Sequence, residues 1–111
     1  MNEIDLKRIK KMVTKKGSIR DAKKILSDVP EDKRFYVHNG SILKNLRELG
    51  GELERMSFET FHYHVNPYKN DFANWVNDVI GDKILADELR KVKTRKSMAR
   101  HVRMRIKQLE A

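Results

Sequence analysis

Apolar residues along this chain recur mostly at spacings of three and four, the pattern of short amphipathic helices rather than of strands or a continuous apolar run. Over residues 3–15, Leu6, Ile9 and Val13 share one stripe while Lys7, Arg8, Lys11 and Lys15 fall opposite, which predicts a helix with a basic back. Gly17 suits a C-terminal cap. Ser18 followed by Asp21 resembles a capping box that opens a second helix, with Ile19, Ala22, Ile25, Leu26 and Val29 inward and its end at Pro30.

The period changes to two in the stretch RFYVHNGSILK. There Phe35 and Val37 alternate with Tyr36 and His38, and Asn39-Gly40 is the favoured pair for a type I′ turn, so a β-hairpin is expected over about 34–44. A two-stranded ribbon is marginal in water by itself and has to lie on helices. Asn45 with Glu48 opens another helix, in which Leu46, Leu49, Leu53 and Met56 keep phase through Gly50-Gly51. Each glycine costs a helix about 1 kcal/mol, so either a neighbour packs closely there or the helix breaks. Ser57 suits the N-cap of a short helix carrying Phe58, Phe61 and Val65, which Asn66-Pro67 ends. Asn70 or Asp71 caps the next, whose apolar face is Phe72, Trp75, Val76, Val79 and Ile80; Gly81-Asp82 closes it and caps a helix with Leu85, Leu89 and Val92 inside.

Thr94 opens a C-terminal helix in which Met98, Val102, Ile106 and Leu109 form the inward stripe. On its other side Lys96, Arg100, Arg103 and Lys107 fall within about 60° of one another at about 100° per residue. They make a straight basic rail. The expected fold is therefore mainly α (α+β), with about five or six short amphipathic helices and one hairpin in a single compact domain. Its parts are a basic N-terminal helical pair over 1–30, a hairpin-plus-helix core over 34–92 and a basic C-terminal helix over 94–110.

Composition narrows the function. A chain of 111 residues has room for one modest core. The absence of cysteine excludes disulfides, thiolate nucleophiles and cysteine-ligated zinc. No stretch approaches the roughly 18 apolar residues of a membrane span, and the basic N-terminus lacks the apolar segment of a signal peptide, so a cytoplasmic protein is expected. The net charge of +9 is unevenly spread: residues 1–24 hold nine Lys/Arg against three Asp/Glu, residues 25–89 seven against twelve, and residues 90–107 nine against none. Basic ends flank an acidic middle, an arrangement that attracts a polyanion by Coulomb forces and counterion release.

The stretches MSFETFHYHVN, KNDFANWV and GDKILADEL lie within residues 35–92, together with an aromatic strand and a helix rich in Leu and Glu. In this half of the chain the sequence resembles an archaeal and bacterial domain family of unknown function, whose signature falls here on His64, Asn66, Asn70, Asp71, Phe72, Trp75 and Gly81. The resemblance implies a shared fold unit and a shared polar cluster, and carries no established activity. The sequence departs from it at Gly50-Gly51, where the family has good helix formers, and the basic ends lie largely outside it.

The polar cluster His64, Asn66, Lys69, Asn70 and Asp71 invites chemistry, and the residues offer several readings. His62 and His64, two apart, point about 200° from each other on a helix and cannot share an ion there, so no metal and no cofactor is expected. Asp71 beside His64, with Tyr63 or Lys69, would make a general acid/base pair. More often such a pair at a helix start is a cap, and the favoured reading is that Asn70 and Asp71 cap the helix, with His64 and Asn66 bonding across the junction around Pro67; the same loop also offers N–H groups to a partner's backbone or a phosphate. Trp75 and the phenylalanines have core spacing, whereas Tyr36, Tyr63 and Tyr68 are free for surface contact.

The leading expectation is a non-enzymatic nucleic-acid-binding protein, associated with ribosomal RNA or the chromosome. It would hold phosphates through Lys96, Arg100, Arg103 and Lys107, then Lys7, Lys11 and Lys15, with little sequence preference. About six such contacts would give a log–log salt slope of about −5. Its rivals are a protein-interaction module, pairing with a partner or a second copy through opposite charges, and an enzyme centred on Asp71 and His64. Neither a membrane nor a small-molecule substrate is expected: the apolar faces of the terminal helices lack Trp and Phe and are needed for the core.

Overall fold

A computed structural model describes residues 19–111, with side chains from residue 21 onward. The helix expected over 3–15, with Lys7, Lys11 and Lys15, and the caps at Gly17 and Ser18 lie outside the described residues. Six α-helices follow in order among those described: α1 (Ile19–Leu26), α2 (Leu46–Arg55), α3 (Phe58–His64), α4 (Asp71–Trp75), α5 (Lys83–Lys91) and α6 (Arg95–Glu110). A short 3-10 turn (Glu31–Lys33) precedes the hairpin of β1 (Phe35–Tyr36) and β2 (Ile42–Leu43), and a second antiparallel pair, β3 (Val65–Asn66) and β4 (Lys69–Asn70), joins α3 to α4. The mainly helical architecture with one larger hairpin is as the periodicity predicts.

The expected caps close the helices. Asn45 Oδ1 accepts from Glu48 N–H while Glu48 Oε1 accepts from the N–H of Lys44, one residue before the N-cap, in a variant of the capping box at the start of α2. Ser57, Asn70, Asp82 and Thr94 accept from the N–H groups of Thr60, Ala73, Leu85 and Ser97. The stripes meet in one core: Leu46, Leu49, Leu53, Phe61, Phe72, Leu85, Leu89, Met98 and Val102 are all buried. Phe35 and Val37 are buried while Tyr36 is exposed, so the hairpin lays one face on this core; the Phe35 ring stacks on Phe72 with centroids 5.0 Å apart and meets Trp75 edge-on. Trp75 Nε1 donates to Lys33 O at 2.8 Å, which ties the approach to the hairpin to the end of α4.

Gly50 and Gly51 do not break α2. The helix runs through them and packs along α6, where a Cβ on Gly50 would stand 3.4 Å from Val102 Cγ1. The two helices approach closely at the first glycine, where a methyl group would just reach van der Waals contact.

Four details depart from the sequence reading. The hairpin turn is not type I′, because Asn39 has negative φ and only Gly40 of the pair is positive, at +99°. Gly40 N–H instead bonds Val37 O, Val37 N–H bonds Ser41 O, and Ser41 N–H bonds Asn39 Oδ1, giving a three-residue loop with glycine in the left-handed position. Phe58 is exposed rather than core: it is the first residue of α3, and its ring lies over His62, centroids 4.2 Å apart. The junction around Pro67 is a small β-turn ribbon and not a bare linker. The helix from Asp71 widens into a π-helical turn over Val76–Ile80, where Gly81 N–H reaches Val76 O, five residues back, before Gly81 at φ +85° ends it.

Candidate functional site

Two groups of residues are candidates, and their chemistry differs. The first is the outer side of α6. Met98, Val102, Ile106 and Leu109 dock inward, so Lys96, Arg100, Arg103 and Lys107 face solvent along one side, as the helical phase requires. Between this side and α2 runs a groove of about 760 Å³, to which α2 adds Arg47. Glycines Gly50 and Gly51, with Ala99 and Ile106, contribute its apolar lining. The α6 side is therefore cationic, whereas the α2 side carries both Arg47 and Glu54, and Glu110 also lines the groove.

Not every groove cation is unengaged. Arg103 Nη2 bonds Glu54 Oε2 across the groove, and Arg47 Nη2 stands 3.3 Å from Glu110 Oε2. These are exposed pairs, so each is worth little and opens readily. Arg95 is committed more firmly, since Nη1 donates to Leu53 O and Glu54 O at 2.7 and 2.8 Å and so satisfies the end of α2. Among the described residues no carboxylate lies in ion-pair range of Lys96, Arg100 or Lys107.

The second group is the polar cluster, which the fold does bring together. His64 is buried and ringed by Phe35 and Phe72, centroids 5.1 Å away in each case. Its Nε2 accepts from His38 N–H at 3.0 Å, which leaves the proton on Nδ1 to be donated to Asp71 Oδ2 at 2.9 Å. Lys69 Nζ donates to the same oxygen at 2.9 Å and stands 4.6 Å from the centre of the Tyr63 ring, and that ring stacks on His38 at 3.8 Å. The circuit closes from His38 through His64, Asp71, Lys69 and Tyr63 back to His38. Burial is the strongest single influence on the Asp71 carboxyl and pushes it up, but the hydrogen bonds from Lys69 and His64, with the charge attraction of the same two groups, together hold it below its ordinary value. The hydrogen bond to Asp71 raises the Lys69 ammonium above its usual value.

In this circuit both nitrogens of His64 are engaged, one of them by a backbone N–H, so the ring has no lone pair directed at a substrate. Asn66 serves the backbone as well: Nδ2 donates to His62 O at 3.1 Å and Oδ1 accepts from Tyr68 N–H at 3.0 Å. Asn70 caps α4 and donates through Nδ2 to Leu89 O. His62 does not approach His64 to share an ion; its Nδ1 lies 3.1 Å from Val65 O. Among the described residues no three His, Asp or Glu side chains converge in a way that would hold a metal. The cluster's bonds fasten the hairpin, α3 and α4 to one another.

Sequence reasoning missed two participants. Arg47 reaches the groove because it lies one turn before Gly51 on α2, a phase that was legible, though nothing in the sequence says that α2 lies beside α6. Arg105 is in phase with Met98, Val102 and Leu109, and it turns inward to Asp82. No protein-family model, no curated protein and no solved structure matches this chain.

Proposed function

We propose that this chain is a non-enzymatic nucleic-acid-binding protein that holds a phosphate backbone along α6. What supports the reading is that Lys96, Arg100 and Lys107 stand exposed on one helix side, without a carboxylate partner among the described residues, beside a groove that Arg47 also lines. Cations spaced by a helical turn, about 5–6 Å apart, can each meet a phosphate. Contacts of this kind fix position without reading bases, so binding is expected to be largely indifferent to sequence. The basic residues Lys7, Lys11 and Lys15 extend the positive charge in the sequence, and each that meets a phosphate steepens the salt dependence. The His64–Asp71 pair serves in this reading as a brace and not as an acid/base couple.

The test is charge reversal. Arg100→Glu combined with Arg103→Glu should abolish retention of nucleic acid through purification, read as the ratio of absorbance at 260 and 280 nm before and after a high-salt wash, while leaving the molecular mass in solution unchanged. If the double variant changes the oligomeric state and neither protein carries nucleic acid, the surface serves a protein partner or a second copy and the reading fails.

A further inference from the structure

We propose that the open edge of β2 at Ile42 takes an extended segment of another protein, paired as an added strand and carrying acidic side chains. The hydrogen bonds of the hairpin show which way that edge points. Val37 N–H bonds Ser41 O at 2.8 Å, so Val37 and Ser41 are a hydrogen-bonded pair. Pairs alternate along an antiparallel ladder, and the next one, Tyr36 with Ile42, is therefore of the non-bonded kind. The N–H and C=O of Ile42 then point away from β1, and among the described residues neither has a hydrogen-bond partner. Two residues along the same edge, Lys44 O accepts from Val29 N–H at 2.8 Å. The chain covers one end of this edge with its own backbone and leaves the other end bare.

Native sheets blunt an exposed edge with a charge, a proline or a bulge. Ile42 offers none of these; its side chain is 52% exposed, and Tyr36, opposite it on β1, is 64% exposed. Together they make an apolar outward face on which one side chain of an added strand can rest. Between β2 and α2 lies a depression of about 470 Å³, lined by Ile42 and by Arg47, Glu48, Glu52 and Arg55 of α2. The two carboxylates are committed within the chain. Glu48 Oε1 accepts from Lys44 N–H at 2.9 Å, and the Glu52 side chain, 4% exposed, is held between Asn39 and Arg55. The Arg55 side chain is 70% exposed, and Arg47 is held only by its exposed pair with Glu110. The accessible charge beside the edge is therefore positive. Because side chains alternate along a strand, a residue resting on Ile42 and Tyr36 sends its two neighbours to the opposite face, toward α2. The partner is thus an extended segment in which apolar and acidic residues alternate, bound by strand addition. Pairing of this edge with that of a second copy would bring the arginines of both chains to one seam, which like-charge repulsion opposes.

The experiment is fluorescence anisotropy of the whole chain with a labelled peptide of alternating glutamate and valine, and with the same peptide carrying lysine in place of glutamate. Ile42→Pro removes an N–H that the hairpin itself does not use, and an edge position of this kind tolerates proline. Circular dichroism and thermal unfolding certify its folding. The wild type should bind the glutamate peptide about tenfold or more tightly than the lysine peptide, and Ile42→Pro should weaken that binding by about fivefold or more. Methylating the valine amides of the glutamate peptide should weaken its binding to the wild type similarly, a comparison that needs no variant. Equal binding of the two peptides, or no binding of the glutamate peptide, overturns the inference. A folded Ile42→Pro that binds like the wild type also overturns it, since the peptide would then sit elsewhere, as on the α6 rail; so does indifference to N-methylation. A doubling of mass with concentration that Ile42→Pro abolishes overturns it in favour of a second copy. Phosphate binding along α6 is untouched by each of these outcomes.

Discussion

Arg105 and Asp82 form a two-point ion pair in the interior, Nε to Oδ2 at 2.6 Å and Nη2 to Oδ1 at 3.0 Å, with each side chain only 2% exposed. The pair joins the middle of α6 to the N-cap of α5, since Asp82 Oδ1 also accepts from Leu85 N–H. By turning one arginine of α6 inward it fixes the rotation of that helix, and the rotation decides which cations face out.

Removing one partner leaves the other charge buried and unpaired. Arg105→Met should lose about 3–5 kcal/mol in chemical denaturation, whereas Asp82→Asn with Arg105→Met, which keeps a capping side chain and removes both charges, should recover most of that. A single variant within about 0.5 kcal/mol of wild type would show that the pair does not hold the helix.

The two helical glycines should respond differently to alanine. Gly51→Ala meets only an ordinary contact and should raise stability by about 1 kcal/mol. At Gly50 the new methyl group would stand 3.4 Å from Val102 Cγ1, a buried side chain with less freedom to yield than Arg55, so the gain should be smaller. Thermal unfolding of the two variants side by side checks the order.

Asp71 supplies an acid limb to the stability profile. Because its carboxyl lies lower in the folded chain than in the unfolded one, its contribution is present above the ordinary carboxylate value and is lost as pH falls through the lowered one. Asp71→Asn should cost about 1–2 kcal/mol at neutral pH and flatten the loss of stability below about pH 4. Denaturation midpoints at several pH values for both proteins give the comparison; parallel curves would refute the assignment.

Glu54 competes with any phosphate for Arg103. In the proposed function Glu54→Gln should therefore tighten nucleic-acid binding several-fold and steepen the log–log salt slope by about 0.7 for a single strand. Unchanged affinity and slope would mean that Arg103 takes no part.

Much of this architecture was legible in the sequence, because period and punctuation agree. Leu46, Leu49, Leu53 and Met56 kept phase through the glycines, and the residues expected to cap the helices from Asn45 to Thr94 do so. What escaped depends on neighbours that no periodicity names. Phe58 has core spacing but is exposed at the first position of α3, where its ring lies over His62. Strands of two residues, as in Val65–Asn66 with Lys69–Asn70, are too short for alternation to register. For the polar cluster the residues were named correctly, whereas the use of His64 Nε2 by the His38 N–H depends on where the hairpin folds back. For the rail, helical phase predicted the exposed side of α6, but not that Arg47 and Glu54 of α2 would lie along it.

The central claim is electrostatic: cations on the outer side of α6 hold phosphates. Its most direct measurement is the affinity of the whole chain for an oligonucleotide across a salt series, wild type against Arg100→Glu with Lys107→Glu. Four rail contacts to a single strand predict a log–log slope of about −3 or steeper, falling by about 1.4 or more in the double variant. A slope near zero, or one that the variant does not change, would contradict the account.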